Sequence, residues 1–225
     1  MTPSQFYKTL IEQFPFEPTL QQQIFFQKVT EYLMLSGDDA VFVLKGYAGT
    51  GKTTLISVLV NYLHLIGQKA ILLAPTGRAA KVMAGYAEKQ AFTIHKRIYF
   101  PKKNKNGGMG FVMQANKFKD TVFIVDEASM ISDAQNEMSR YENGSLLDDL
   151  LFYVYAGHNC RIILVGDTAQ LPPVNSVVSP ALEIDSLAIN YQKEVHHIEL
   201  DEVMRQSEKS GIFRNLGSRN KTAGI

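Results

Sequence analysis

Eight residues, GYAGTGKT from Gly46 to Thr53, match the spacing G-x-x-x-x-G-K-[ST]. That spacing suits the cradling of a phosphate chain. Glycines let backbone N–H groups approach anionic oxygens closely, and a helix beginning near Lys52 aims its positive end at them. Lys52 is expected to reach the β- and γ-phosphates, and the Thr53 hydroxyl to sit on Mg²⁺. A dinucleotide fingerprint is excluded, because the third position after Gly51 is Thr54 rather than glycine. A second group, VFIVDEAS from Val122 to Ser129, ends an apolar run in two acids. Beside bound phosphates, Asp126 would hold Mg²⁺ through water and Glu127 would orient or deprotonate an attacking water. The two groups together describe a P-loop nucleoside triphosphatase without saying which kind.

A third group, LVGDTAQLPPV from Leu164 to Val174, narrows the choice. A glutamine such as Gln170, just beyond a strand adjacent to the phosphates, can hydrogen-bond the γ-phosphate and sense its loss. Pro172 and Pro173 stiffen the turn that follows, so a sensed change can move something rigid.

These groups need elements to position them. Four apolar runs, Val41–Leu44, Ala70–Ala74, Val122–Val125 and Ile162–Val165, do not alternate with polar residues, which is how strands buried on both faces read. Helical patterns lie around them at Thr19–Leu35, Lys52–Ile66, Gly77–Glu88 and Ser145–Ala156, with Gly67 and Gly157 as stops. Ser145 followed by Asp148 has the capping-box spacing. The alternation predicts an α/β fold, a mostly parallel sheet with helices on both faces. Lys96–Lys119 interrupts it with seven Lys or Arg, no Asp or Glu, Pro101 and an Asn-Gly-Gly turn at Asn106–Gly108. This reads as a small basic hairpin-like insertion. The stretch after it, Asp126–Asp149, is acidic, so the net charge of +1 hides a local separation of charge. That total excludes a polycationic binding mode and leaves only a local nucleic-acid patch. The single cysteine, Cys160, excludes a disulfide framework and a Cys-rich zinc site, and fits a reducing, cytoplasmic setting. Adjacent His196 and His197 would face opposite ways on a strand and make a poor metal pair. The start has no signal-peptide pattern, and no apolar stretch is long enough to cross a membrane.

The set GYAGTGKTT, LLAPTGRAAKVM, TIHK, VDEASM, GDTAQLPPV and ELDEVMRQ, in this order between about Thr19 and Gln206, resembles superfamily-one DNA helicases of the RecD-like branch, akin to exodeoxyribonuclease V alpha subunits. The resemblance implies a RecA-like domain that binds ATP and Mg²⁺ and moves on single-stranded DNA, in the 5′→3′ direction, at a fork. It implies ATP contacts from Gly46, Ala48, Gly49, Thr50, Gly51, Lys52, Thr53 and Thr54, metal contacts from Thr53 and Asp126, and catalytic roles for Lys52, Glu127, Gln170 and Arg205. Gln22, in the T-x-x-Q pattern from Thr19, matches the glutamine that reads the adenine edge, with Gln21 and Gln23 as rivals.

DNA contacts are implied at Thr76, Gly77 and Arg78, where a strand end meets a helix start, and at Thr93 and His95. For the first group an ordinary helix cap is the competing reading. The basic insertion stands where the family carries its strand-separating pin. Lys102, Lys103 and Lys105 would track phosphates there, and Tyr99, Phe100 or Phe111 would stack on a base, with a solvated lysine loop as the alternative. The expected layout is a lead-in at 1–18, the ATP-binding domain at 19–95 and 120–194, the insertion at 96–119, and a hinge into a second RecA-like domain at 195–225. Twenty residues follow Arg205 and none of the second domain's motifs is among them, so the chain reads as an N-terminal motor half, expected to be inactive alone. The competing reading is a non-catalytic nucleotide- or DNA-binding remnant, against which the retention of both acids argues.

Overall fold

A computed structural model of the chain describes residues 1–103, 109–132, 145–167, 169 and 179–202. The helices are α1 (Pro3–Glu12), α2 (Leu20–Leu35), α3 (Lys52–Tyr62), α4 (Gly77–Ala87), α5 (Ile94–Ile98), α6 (Leu146–Tyr155) and α7 (Ile184–Ile189). The strands are β1 (Ala40–Gly46), β2 (Lys69–Ala74), β3 (Ala91–Thr93), β4 (Tyr99–Lys103), β5 (Met109–Met113), β6 (Lys119–Val125), β7 (His158–Gly166) and β8 (Glu194–Leu200). Six of them form one sheet in the order β3-β2-β6-β7-β1-β8, with every described pairing parallel.

The four apolar runs lie in β1, β2, β6 and β7, and their residues explain the lack of alternation. Phe42 and Leu44 of β1 join one core while Val41 and Val43 join the other. The same division splits Val122 and Ile124 from Phe123 and Val125 in β6. One face is covered by α1 to α4, through residues such as Phe6, Phe25, Leu55 and Met83. The opposite face is covered by α5, α6 and α7, through Ile94, Leu147 and Leu187. Both sides of each central strand are therefore removed from water.

Caps set the helix starts. Thr19 and Gln22 form a reciprocal capping box at α2, and Thr2 and Gln5 another at α1. Ser145 accepts from the Asp148 amide and supplies one half of such a box at α6. The helix after the phosphate loop ends at Tyr62 and continues to Ile66 as a tighter 3₁₀ turn, stopped by Gly67 in the left-handed region at φ 73°.

Two boundaries differ from the sequence expectation. Residues 1–18 are not a separate lead-in, because α1 packs on α2 and buries Phe6 and Leu10 completely in the main core. Residues 195–200 are not the start of a hinge, because they lie in β8, the sixth strand of the same sheet, paired with β1 from Ala40↔Glu194 to Gly46↔Leu200. The apolar positions Ile198 and Leu200 bury there. Residues from 203 onward lie outside the described residues.

Candidate active site

The phosphate loop joins the C-terminal end of β1 to the start of α3, where ligands bind in open parallel sheets. Gly49 and Gly51 adopt φ of 82° and 89°, a region that glycine enters without a Cβ penalty. Gly46 is required for another reason: a Cβ there would sit 2.6 Å from the Leu200 carbonyl oxygen of β8. Gly51 is the N-cap of α3, and no side chain caps that helix start. Thr53 is exposed, as are Tyr47, Ala48 and Gly49. Thr50 is buried and donates its hydroxyl to the Tyr47 carbonyl at 2.9 Å. Thr54, half-buried, lies in the first turn of α3.

Lys52 folds back on the loop and donates to the carbonyls of Gly46 at 2.6 Å and Tyr47 at 2.8 Å. Burial lowers its ammonium below the usual lysine range, while Asp167, Asp126 and Glu127, in that order, act in the opposite direction. Three acids therefore lie within electrostatic reach of one lysine. Asp126 and Glu127 follow β6, and Asp167 follows β7, the strand between β6 and β1. Both Asp126 oxygens accept hydrogen bonds: Oδ1 from the Glu127 amide at 2.9 Å, Oδ2 from the Tyr86 hydroxyl at 2.7 Å. Glu127 is held in the left-handed region at φ 55°, strained for a non-glycine residue. A left-handed loop, an uncapped helix start, a cation that can release its loop carbonyls, an exposed threonine and a fixed carboxylate form a donor set that fits a nucleotide phosphate chain and a hard divalent cation.

Gln22, expected to read an adenine edge, is bonded within the protein at both ends of its amide. It is 1% exposed; its Oε1 accepts from the Thr19 amide at 3.0 Å and its Nε2 donates to the Thr50 carbonyl at 3.2 Å. Both ends of its amide thus tie the start of α2 to the phosphate loop. Gln21 is committed elsewhere: its Oε1 accepts from the amides of Asp201 and Glu202, and its Nε2 donates to Asp201. Gln23 donates to the Pro18 carbonyl.

Thr76 caps α4 by accepting from the Ala79 amide at 3.2 Å, and Gly77 and Arg78 beside it are exposed. Thr93 caps α5 in the same way, accepting from the Lys96 amide at 3.2 Å. His95 keeps an exposed edge, but its ring lies 5.7 Å from that of Tyr99, and the loss of water on that side lowers its pKa. The basic insertion is a β4–β5 antiparallel hairpin, closed at its root by the Gln114 amide donating to the Ile98 carbonyl. Tyr99 is 5% exposed and its hydroxyl donates to buried Asp149 on α6, so of the three aromatic candidates it anchors the hairpin rather than meeting a base. Phe100 and Phe111 are 43% and 61% exposed. Phe100 pairs with Val112 and Pro101 with Phe111, so the two phenylalanines occupy opposite faces and form no single stacking platform. Lys102 is exposed; Lys103 is described only as backbone of β4. Lys105, the Asn106–Gly108 turn, Gln170, the two prolines after it and Arg205 lie outside the described residues.

Two remaining sequence candidates are structural. Cys160 is buried and donates to the Phe118 carbonyl at 3.5 Å, and burial raises its thiol pKa. His196 shares hydrogen bonds with Ser36 and Glu194, and no cluster of metal-binding type occurs among the described residues. Sequence reasoning misses two residues of the site. Asp167 lies inside the third motif, whose spacing assigns a role only to Gln170. Tyr86 carries no signal, because a tyrosine near the end of a helix has no spacing rule linking it to an acid on another element.

A family profile described as an AAA domain matches residues 26–216. The ATP-dependent RecD2 DNA helicase of Deinococcus radiodurans is 33% identical over 175 residues, covering 76% of this chain and 20% of that protein. The ATP-dependent DNA helicase dda of Enterobacteria phage T4 is 30% identical over 172 residues, covering 73% of this chain and 34% of its own length. Among solved structures, that of Bacteroides sp Pif1 in complex with ADP-AlF4 aligns with a TM-score of 0.50 at 25% identity, over 84% of this chain and 43% of that one. The chain thus spans less than half the length of these relatives. Profile, relatives and strand order agree: the chain belongs to the AAA-domain family, as a RecA-like P-loop domain of the superfamily-one, RecD-like helicase kind.

Proposed function

We propose that the chain is the ATP-binding motor domain of an ATP-dependent DNA helicase or translocase that moves on single-stranded DNA. The observation that carries this reading is that the phosphate loop with Lys52 follows β1, Asp126 and Glu127 follow β6, and Asp167 follows β7, all at the carboxyl ends of adjacent strands. Lys52 exchanges its loop carbonyls for phosphate oxygens. Thr53 and Asp126 would hold Mg²⁺, which when bound would neutralise phosphate charge. Glu127, strained and adjacent, orients the attacking water and takes its proton. Gln170 and Arg205 are the γ-phosphate sensor and the charge-stabilising arginine in this reading. The DNA surface consists of Gly77 and Arg78 at the start of α4, Thr93 and His95 on the neighbouring turn, and the basic hairpin with Lys102, Lys103 and Lys105. Thr76 acts there as the cap that fixes the helix start. Fork DNA and a cytoplasmic setting belong to the same proposal.

A calorimetric or fluorescent-ADP titration tests it. Lys52→Ala is expected to abolish nucleotide binding, and Glu127→Gln to preserve it. Unchanged affinity in Lys52→Ala would overturn the assignment of the loop.

A further inference from the structure

We propose that Tyr86 is a positioning residue for the metal-holding carboxylate, a strut through which α4 sets the aim of Asp126. The inference rests on the nucleotide-binding reading above and adds to it a residue that the sequence motifs do not contain. Its hydroxyl donates to Asp126 Oδ2 at 2.7 Å. The other carboxylate oxygen takes the Glu127 amide at 2.9 Å, so two donors from different elements fix the plane of the carboxylate. One donor is local backbone and moves with Asp126. The other comes from α4 and reports where that helix stands.

Tyr86 is itself held from a third direction. Its carbonyl accepts from the Ser57 hydroxyl at 3.1 Å, and Ser57 lies on α3, the helix that begins with Lys52 and Thr53. Its ring packs against the main core. The far end of α4 carries exposed Gly77 and Arg78. Tyr86 stands eight positions after Arg78, about 12 Å of helix at 1.5 Å per residue. The helix thus carries exposed Arg78, a residue of the proposed DNA surface, at one end and the contact to Asp126 near the other. Partners that orient a metal-ligating group typically contribute about 10- to 100-fold to metal affinity or activity.

The test uses the whole chain with fluorescent ADP, titrated in EDTA and across a series of Mg²⁺ concentrations. Tyr86→Phe keeps the ring and removes only the donor. The expected result is unchanged affinity in EDTA and a rise of roughly tenfold in the Mg²⁺ concentration that half-saturates the enhancement of binding. Tyr86→Leu, which also loses ring packing, is expected to show the same Mg²⁺ shift in the folded protein. Asp126→Asn is expected to remove the Mg²⁺ response, and adding Tyr86→Phe to it to change nothing further. A Mg²⁺ midpoint in Tyr86→Phe within twofold of the unaltered chain overturns the proposal. So does an equal loss of affinity with and without Mg²⁺, which marks a merely structural role. Failure of the underlying reading looks different: Lys52→Ala would then bind ADP as the unaltered chain does.

Discussion

Replacing Gly51 with alanine tests the link between the phosphate loop and α2. The residue sits at φ 89° and ψ 11°, where an L-residue pays about 1–2 kcal/mol. The added Cβ would also stand 2.7 Å from Gln22 Nε2. A flexible side-chain end normally swings away from such a contact at little cost. Gln22 has no such freedom, because it is 1% exposed and its amide is shared between Thr19 and Thr50. Moving it away breaks the bond to the Thr50 carbonyl, and leaving a buried polar group without its partner costs about 1–3 kcal/mol. The expected destabilisation is roughly 2–5 kcal/mol.

Urea or guanidinium unfolding measures it, with Gly85→Ala as the comparison. Gly85 lies inside α4 with φ outside the positive region, and a methyl group added there would meet nothing within 4 Å, so alanine is expected to stabilise by about 0.5–1 kcal/mol. Fluorescent-ADP binding is expected to be lost in Gly51→Ala and kept in Gly85→Ala. Stability of Gly51→Ala within about 0.5 kcal/mol of the unaltered chain, with ADP affinity intact, would refute both the strain and the clash.

Tyr32→Phe should destabilise the fold by about 1–3 kcal/mol on denaturant titration, since the buried hydroxyl donates to the Ile162 carbonyl at 2.7 Å and accepts from its amide at 3.0 Å. Acid should weaken the fold below about pH 6.5 through His95 and His197. Burial lowers both from the ordinary 6.5, so the unfolded chain binds more protons in the window below that value, and stability rises with pH through it and levels off above. Melting temperatures followed across pH check this, and His95→Gln should flatten the slope. Binding to single-stranded DNA should fall with salt by about 0.7 in log K per log unit for each phosphate neutralised. Arg78→Ala should lower affinity and Lys102→Glu should reduce the slope; a slope unmoved by Lys102→Glu, with affinity lowered by Arg78→Ala, removes the hairpin from the DNA surface.

The parallel sheet is legible in the sequence because Val41–Leu44, Val122–Val125 and Ile162–Val165 lack any alternation, and a strand with helices on both sides has no polar face to display. The phosphate loop is legible because backbone geometry dictates glycine at fixed places: left-handed φ at Gly49 and Gly51, and close approach of β8 at Gly46. Sheet membership of 194–200 is harder to read. EVHHIEL buries only Ile198 and Leu200 on an edge strand, and its two histidines mask the pattern. Residues 1–18 pass for a lead-in because α1 is short and contributes to the core through only two fully buried side chains, Phe6 and Leu10.

Gln22 shows how one spacing can carry two meanings. T-x-x-Q is the signature of an adenine-reading glutamine by resemblance, and it is also a capping box by backbone chemistry. The capping requirement is local and is met as soon as α2 forms. It places the amide oxygen on Thr19 and leaves the amide nitrogen to meet Thr50, twenty-eight residues on. The box therefore fixes α2 to the loop before any base is involved. Tyr86 is the opposite case, since its partner Asp126 is forty residues away on another element. Contacts of the first kind follow from a helix start and can be read along the chain. Contacts of the second kind exist only once α4 has packed on β2, the strand beside β6, and no spacing along the chain announces them.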